Sequence, residues 1–288
     1  RVAPVAITES WMTTMYALAI GLWIGAAATV ARRIGEKDAE GAAKSAVQSI
    51  ILGLAAAAVF GAIGISFGPR MLALMGASED VLRTGSTFSR VMLGGSGTAV
   101  MLFLINAVFR GAGDAAIAMR VLWFANAINI ILGPCLIFGI GPFPELGVVG
   151  ASIGTTIGRG SGVLYQLYHL TRRGGRVEVH ARHWRLDLGV MRTILRISGT
   201  ATFQNFVGTA SWMGLVRILS GFGSAAVAGN TIGIRIILFA LLPSFGVSNA
   251  AATLVGQNLG AGKPDRAEAA AWTVGVYNTI FLGGGGLD

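Results

Sequence analysis

Long apolar runs, each broken by a short polar or glycine-rich stretch, organise the chain from end to end. Apolar segments occupy residues 5–31, 42–67, 86–108, 115–140, 146–170, 190–219 and 225–255, and an eighth starts near 267 and runs to Asp288. A bilayer core of about 30 Å needs about 20 apolar residues per helix, and each complete run meets that length. None shows the alternation of apolar and polar positions that a half-buried strand requires. In lipid only helices and closed barrels satisfy their own backbone, so the pattern predicts an all-α integral membrane protein with about seven complete helices.

Composition agrees with the pattern. Of 288 residues 53% are hydrophobic and only 12% charged, with a mean hydropathy of +0.68. Soluble domains carry about 25% charged residues, so a water-facing enzyme is excluded. The net charge of +9 implies no nucleic-acid partner, because the basic residues punctuate the apolar runs instead of clustering on one soluble face. They divide unequally between the two sets of connections. Fifteen Lys and Arg fall on one side, among them Arg32, Arg33, Lys37, Lys44, Arg120, Arg172, Arg176 and Lys263, against five on the other. The positive-inside rule places the richer side in the cytoplasm of a multi-pass inner-membrane protein, so the first run enters from outside.

The polar chemistry is sparse. Cys135 is the single cysteine and forms no internal disulfide. His169, His180 and His183 have no carboxylate at metal-ligand spacing, which predicts solvated histidines, no metal and no cofactor. Paired acids or a histidine cluster facing one cavity are missing from the pattern, which argues against an enzyme.

The sequence also repeats itself. A shift of 225 residues aligns Gly21 with Gly246, Ala26 with Ala251, Ala27 with Ala252, Val30 with Val255, Gly35 with Gly260, Ala42 with Ala267 and Ala46 with Ala271. Both copies run in the same direction, as in the parallel repeats from which some secondary transporters are built. A period of that length predicts a protein about twice as long, with sequence missing at both ends.

One loop carries a specific signature. Residues 110–114 read Arg-Gly-Ala-Gly-Asp. Gly111 and Gly113 permit a tight reversal, and Asp114 is placed to cap the helix that follows. The segment resembles the signature after the fourth helix of the multidrug and toxic compound extrusion (MATE) family. Residues 74–78, 129–138, 145–151, 228–235 and 254–263 are similar to further segments of that family, and the resemblance covers essentially the whole chain.

It implies a fold of two six-helix lobes around a central cavity. Residues 1–172 would form the first lobe without its first helix, 173–189 a basic cytoplasmic loop between lobes, and 190–288 the start of the second lobe. The implied activity is export of cationic organic drugs and toxic compounds in exchange for H⁺ or Na⁺ by alternating access, in a monomer whose partners are the bilayer and its substrates. A lipid-linked oligosaccharide flippase of the same superfamily is the alternative. It would carry more cationic residues in the cavity and lack the residue 110–114 signature.

Asn126, Asn129 and Gly133 share one helix face. The resemblance implies cation binding by Asn129 and Thr155, whereas Gly133 stands where the family usually has Asp or Asn. Gly208 likewise stands where one branch carries glutamate. Gln204 and Asn205 are adjacent polar groups within one run, and Glu9 is one turn into the first. Trp11, Trp23, Trp123 and Trp212 are candidates for cavity walls or interfacial anchors. Arg159 lies mid-run, too deep to snorkel, beside the ladder Gly150, Gly154, Gly158 and Gly162. A buried charge of this kind is a functional candidate, with an acidic partner expected.

Overall fold

The apolar runs fold as helices that overrun the bilayer-length segments at their ends. A computed structural model describes residues 3–74, 79–172 and 174–284, with side chains at all of these except 3–15, 17–18, 68–74, 79–85, 213, 220, 224–228, 231, 236 and 240. The side chains of Glu9 and Trp11, and most of the 74–78 segment, lie outside the described residues. The helices are α1 (Ala3–Gly35), α2 (Ala39–Leu74), α3 (Glu79–Gly94), α4 (Ser96–Gly111), α5 (Ala115–Phe138), α6 (Val148–Thr171), α7 (Leu188–Ser220), α8 (Ser224–Gly260) and α9 (Pro264–Gly284). No strand occurs among the described residues.

The third apolar run is two helices. A one-residue break at Gly95 separates α3 from α4, within the sequence Gly94-Gly95-Ser96-Gly97. A side chain at Gly95 would meet the Thr156 hydroxyl of α6 at 2.6 Å. Glycine therefore breaks the helix where α6 passes closest.

Three described segments are long and apolar enough to cross a membrane unaided: Ala39–Phe67, Ser86–Gly111 and Ala115–Phe138. Ile232–Phe239 and Leu241–Gly260 make a fourth as a pair bent by 45°. Pro243 lies inside this helix, and its ring opposes the carbonyl four residues back, at Phe239, where the first segment ends. Seven runs were predicted. Helices α6 and α7 have the length but not the hydropathy, because Arg159, Arg192, Arg196 and numerous Gly, Ser and Thr residues dilute it. Such residues are tolerated where one membrane helix packs on another.

Helices α1 to α6 pack as one bundle. Its densest part joins α1, α2 and α4 through Ala26, Val30, Ala46, Val47, Ile50, Leu104, Ile105 and Val108. Helix α6 fixes its position on α4 with a buried carboxamide: Gln166 Nε2 donates to the Leu102 carbonyl at 2.9 Å and to Asn106 Oδ1 at 2.8 Å. The glycine ladder of α6 faces α5. Side chains at Gly150 and Gly158 would collide with the carbonyls of Leu136 and Ala125, and one at Gly154 would press on the Gly133 backbone. Helix α7 lies along α1 where Gly21 and Gly25 admit Ser198 and Thr202.

The repeat is visible in the helix ends. Helices α1 and α8 end at Gly35 and Gly260, and α2 and α9 begin at Ala39 and Pro264. Each pair is offset by the 225 residues of the sequence alignment.

Candidate functional site

The structure brings two of the predicted polar residues together. Asn129 Nδ2 of α5 donates to Thr155 Oγ1 of α6 at 3.2 Å, and the Thr155 hydroxyl donates to the Ala151 carbonyl at 2.8 Å. That leaves Asn129 with its second N–H and its carbonyl oxygen for other partners. Gly133 is buried one turn further on, against Gly154. A Cβ placed there would meet Asn129 Oδ1 at 3.7 Å, an ordinary contact. Asn126 does not join this group: it is exposed.

Arg159 sits one turn beyond Thr155 on α6, half-buried. Ser152, Arg159 and Gln166 are seven residues apart and share a face, and Gln166 shows that this face meets α4. The expected acidic partner is not found among the described residues. The group that Arg159 faces is the hydroxyl of Tyr16 on α1.

Gln204 and Asn205 are elsewhere. Gln204 lines an open cavity of about 720 Å³ against α1, with Arg192, Arg196 and Thr200 of α7 and Ile24 of α1. Asn205 is half-buried and its carbonyl accepts from Thr209. Gly208 is exposed with open space around it. Of the tryptophans, Trp123 and Trp212 are exposed, whereas Trp23 lies inside, 5.0 Å from the Phe103 ring.

The signature loop lies at the basic end of the bundle and is a junction of three elements. The Arg110 carbonyl accepts from Thr253 Oγ1 at 3.1 Å, and the Gly111 carbonyl from Gln257 Nε2 at 3.1 Å, both from α8. The Ala112 carbonyl accepts from Arg176 Nη1 at 3.3 Å, from the connection after α6. The last carbonyls of a helix have no partner within it, and here three successive ones are satisfied by side chains from outside. Gly113 makes the turn at φ +83°. Gly111 does not: it ends α4 and lets that helix approach the Ala27 carbonyl of α1. Asp114 stands at the N-cap position of α5, yet its carboxylate makes no capping bond. Its own N–H closes the preceding turn on the Phe109 carbonyl at 2.8 Å, which holds its backbone out of the extended conformation a cap requires. Arg110 is half-buried, not surface-exposed.

Helices α1 and α8 cross beside this junction with the symmetry of the repeat. A side chain at Gly35 would strike the Gln257 backbone, and one at Gly260 would strike the Arg32 backbone. At Gly256 it would meet the Ala31 side chain at 2.8 Å. The shift of 225 exchanges Gly35 with Gly260 and Arg32 with Gln257, and maps Ala31 onto Gly256. The crossing is therefore pseudo-two-fold, with the Ala31 and Gly256 pair on its axis.

The basic connection from α6 to α7 is docked. Gln48 of α2, fully buried, donates to the Arg185 carbonyl at 2.9 Å and accepts from the Asp187 N–H at 3.2 Å. Glu40 holds Arg182 Nη2 at 2.6 Å and His183 Nε2 at 2.8 Å. His183 is 2% exposed, which corrects the expectation of a solvated histidine. Its Nδ1 accepts the His180 N–H at 3.0 Å, so Nε2 carries the proton given to Glu40. His169 is also not free in solvent, its ring packing on Tyr165 and Tyr168. Among the described residues no group of acids, histidines or cysteine has metal-site geometry.

Thr253, Gln257, Gln48 and Tyr16 were not singled out from the sequence. The available signal was the repeat, because Gln257 occupies the position that Arg32 holds in the first copy.

Comparison with known proteins decides the family. The MatE family profile matches residues 1–135 and 201–284. The chain belongs to the MATE family. It is 28% identical over 258 residues to a probable multidrug resistance protein NorM of Thermotoga maritima, covering 88% of this chain and 54% of that protein. It is 28% identical over 272 residues to an FAD transporter of Shewanella oneidensis, covering 93% and 59% respectively. An outward-facing structure of a multidrug resistance MATE transporter superposes with a TM-score of 0.87 at 26% identity, covering 98% of this chain and 62% of that one. The chain thus spans a little over half the length of these proteins, and its all-helical membrane fold is that of the solved MATE transporter.

Proposed function

We propose that the protein is a secondary active antiporter that exports cationic organic drugs and toxic compounds in exchange for H⁺ or Na⁺. Residues 1–172 form one lobe and residues 190–288 belong to the second, and the lobes rock against each other to alternate access. The basic end faces the cytoplasm of a cell membrane in this reading, which the charge bias of the connections supports.

The observation that carries this reading is the pseudo-two-fold crossing of α1 and α8 at the basic end. Parallel repeats related by an axis along the membrane normal are a transporter plan. The crossing, with the Thr253 and Gln257 bonds, joins the two lobes at the basic end, as closure of one side in an alternating-access cycle needs. The likeness to multidrug resistance proteins supports drugs as cargo. Asn129 and Thr155 offer neutral oxygens to a coupling cation, while Gly133 supplies no carboxylate. Arg110, Gly111, Gly113 and Asp114 serve the closure, not the cargo.

Ethidium efflux from cells expressing the full-length protein tests the reading, with the proton and sodium gradients collapsed separately. Loss of efflux on collapse of one gradient is expected. Efflux indifferent to both, or no efflux of any cationic dye, would contradict it.

A further inference from the structure

Helix α7 leaves the basic end of the bundle with two arginines on its outer face. Arg192, Arg196, Gly199, Phe203 and Phe206 recur at intervals of four, three, four and three residues, one stripe of a helix, and all five are exposed. The opposite side of α7 packs on α1: Ile194, Ser198 and Ala201 are buried, with Ser198 seated against Gly25.

A groove flanks the stripe on each side. The open cavity of about 720 Å³ beside Ile24 of α1 holds Arg192, Arg196, Thr200 and Gln204. On the other flank a cavity of about 540 Å³ runs between α1, α2 and α7, walled by Leu22, Leu52, Leu195, Phe203 and Phe206. No acid is among the described residues that line either groove. Elsewhere at this end Arg32, Arg33 and Arg182 pair with Glu36, Asp38 and Glu40. The Arg192 and Arg196 guanidiniums have no ion pair or hydrogen bond among the described residues.

Both lie near the polar boundary of the membrane. They are four and eight residues past Leu188, the first residue of α7, which is about 6 and 12 Å along its axis. The arginine stem lets a charged head stay in the polar layer from such depths. Trp184 and Leu186, exposed in the connection just before α7, mark the same layer, where tryptophan is enriched. Gln48 fixes them there through the backbone of Arg185 and Asp187. The stripe is thus cationic at the boundary and apolar beyond it. At the joint, nothing lies within 4 Å of the place a side chain on Gly199 would take.

We propose that this face of α7 binds an anionic phospholipid of the leaflet at the basic end, with its phosphate on Arg192 and Arg196 and an acyl chain along Gly199, Phe203 and Phe206. A guanidinium fork matches phosphate oxygens with parallel bonds. A soluble phosphate would use the two cations alone, whereas an amphiphile uses both halves of the stripe. This inference stands apart from the transport function proposed above, because it concerns the lipid around the protein and not its cargo.

Native mass spectrometry of the purified full-length protein tests it, with dioleoyl phosphatidylglycerol and dioleoyl phosphatidylcholine offered together. The two lipids share their chains and differ in net charge. Phosphatidylglycerol is expected to be retained more than tenfold over phosphatidylcholine. Arg192→Gln and Arg196→Gln should each cut that preference about fivefold, the effect of one cation near an anionic lipid, and the double variant should abolish it. Lys263→Gln/Arg266→Gln removes the same charge from exposed positions at the same end and should leave the preference intact. Soluble glycerol phosphate should not displace the bound lipid.

Equal retention of the two lipids by the unaltered protein would overturn the proposal. So would a preference that survives Arg192→Gln/Arg196→Gln, or one lost equally in Lys263→Gln/Arg266→Gln, which would mean charge attraction without a site. Displacement by glycerol phosphate would assign the arginines to a soluble phosphate compound instead. Cover of this face by a later helix of the full-length protein predicts no lipid preference and a lowered melting temperature for the double arginine variant, and that result would overturn the proposal too.

Discussion

Gly35 of α1 packs on the backbone of Gln257 in α8, and its repeat mate Gly260 packs on the backbone of Arg32 in α1. Two helices that approach through backbone at symmetric points can meet closely only while both glycines lack side chains. Valine at either position is therefore expected to hold the basic end open. Reactivity of an introduced Ala31→Cys, in a chain whose Cys135 is replaced, reads this directly, because Ala31 is 1% exposed. A maleimide applied from the basic side should label it at least tenfold faster in the Gly35→Val or Gly260→Val background.

Gln257→Leu should weaken the same closure by a different route. It leaves the Gly111 carbonyl without the donor that now lies 3.1 Å away, a loss of about 1 kcal/mol or a fivefold shift in population. Labelling of Ala31→Cys should rise by about that factor. Thr253→Val, acting on the neighbouring Arg110 carbonyl, should behave alike, and the double variant should exceed either.

The α5–α6 interface predicts a graded series. Gly150→Ala and Gly158→Ala drive a methyl into the Leu136 and Ala125 carbonyls, overpacking that costs about 1–3 kcal/mol. Gly133→Ala meets only Asn129 Oδ1, at 3.7 Å, and removes a flexible residue from a helix, so it should be neutral or stabilising by up to about 1 kcal/mol. Thermal unfolding in detergent should rank Gly133→Ala above the unaltered protein or level with it, and both others below.

The connection between α6 and α7 holds Arg172, Arg176, Arg182 and Arg185, all trypsin sites by type. Docking by Gln48 and Glu40 should protect them. Gln48→Leu strands two backbone groups of the connection, and Glu40→Gln weakens the hold on Arg182 and His183. Brief trypsin treatment should cut the Gln48→Leu protein within this segment many times faster than the unaltered one, with Glu40→Gln between them.

The helical membrane class was legible because bilayer thickness leaves its mark on run length, and the repeat because shared spacing survives in Gly35 and Gly260. The family was legible in residues 110–114, although the physical reason for that signature was not. Its carbonyls matter more than its side chains, and a carbonyl has no letter in the sequence. Asp114 illustrates the same limit: a residue of the right type at a cap position fails to cap because its N–H is used by the preceding turn. The family resemblance named Asn129 and Thr155 together and the structure bonds them, whereas Asn126, on the same predicted face as Asn129, is exposed, since periodicity says which residues share a face and not how wide the packed stripe is. His183 was misread as solvated because its partner, Glu40, is 143 residues distant. Arg159 announced itself by depth alone, and Tyr16, which interacts with it, came only from the packing of α1.

Opening and closing of the α1–α8 crossing as two lobes rock is the centre of the account, and a distance across the basic end tests it most directly. Spin labels at the exposed Lys44 of α2 and Arg266 of α9 report that distance in full-length protein reconstituted into vesicles that demonstrably export dye. The account predicts a short-distance population matching the closed crossing, and a second, longer one that grows when Gly260→Val is introduced or the coupling gradient is changed. A single distance, unaltered by either change in protein that still exports, would contradict it.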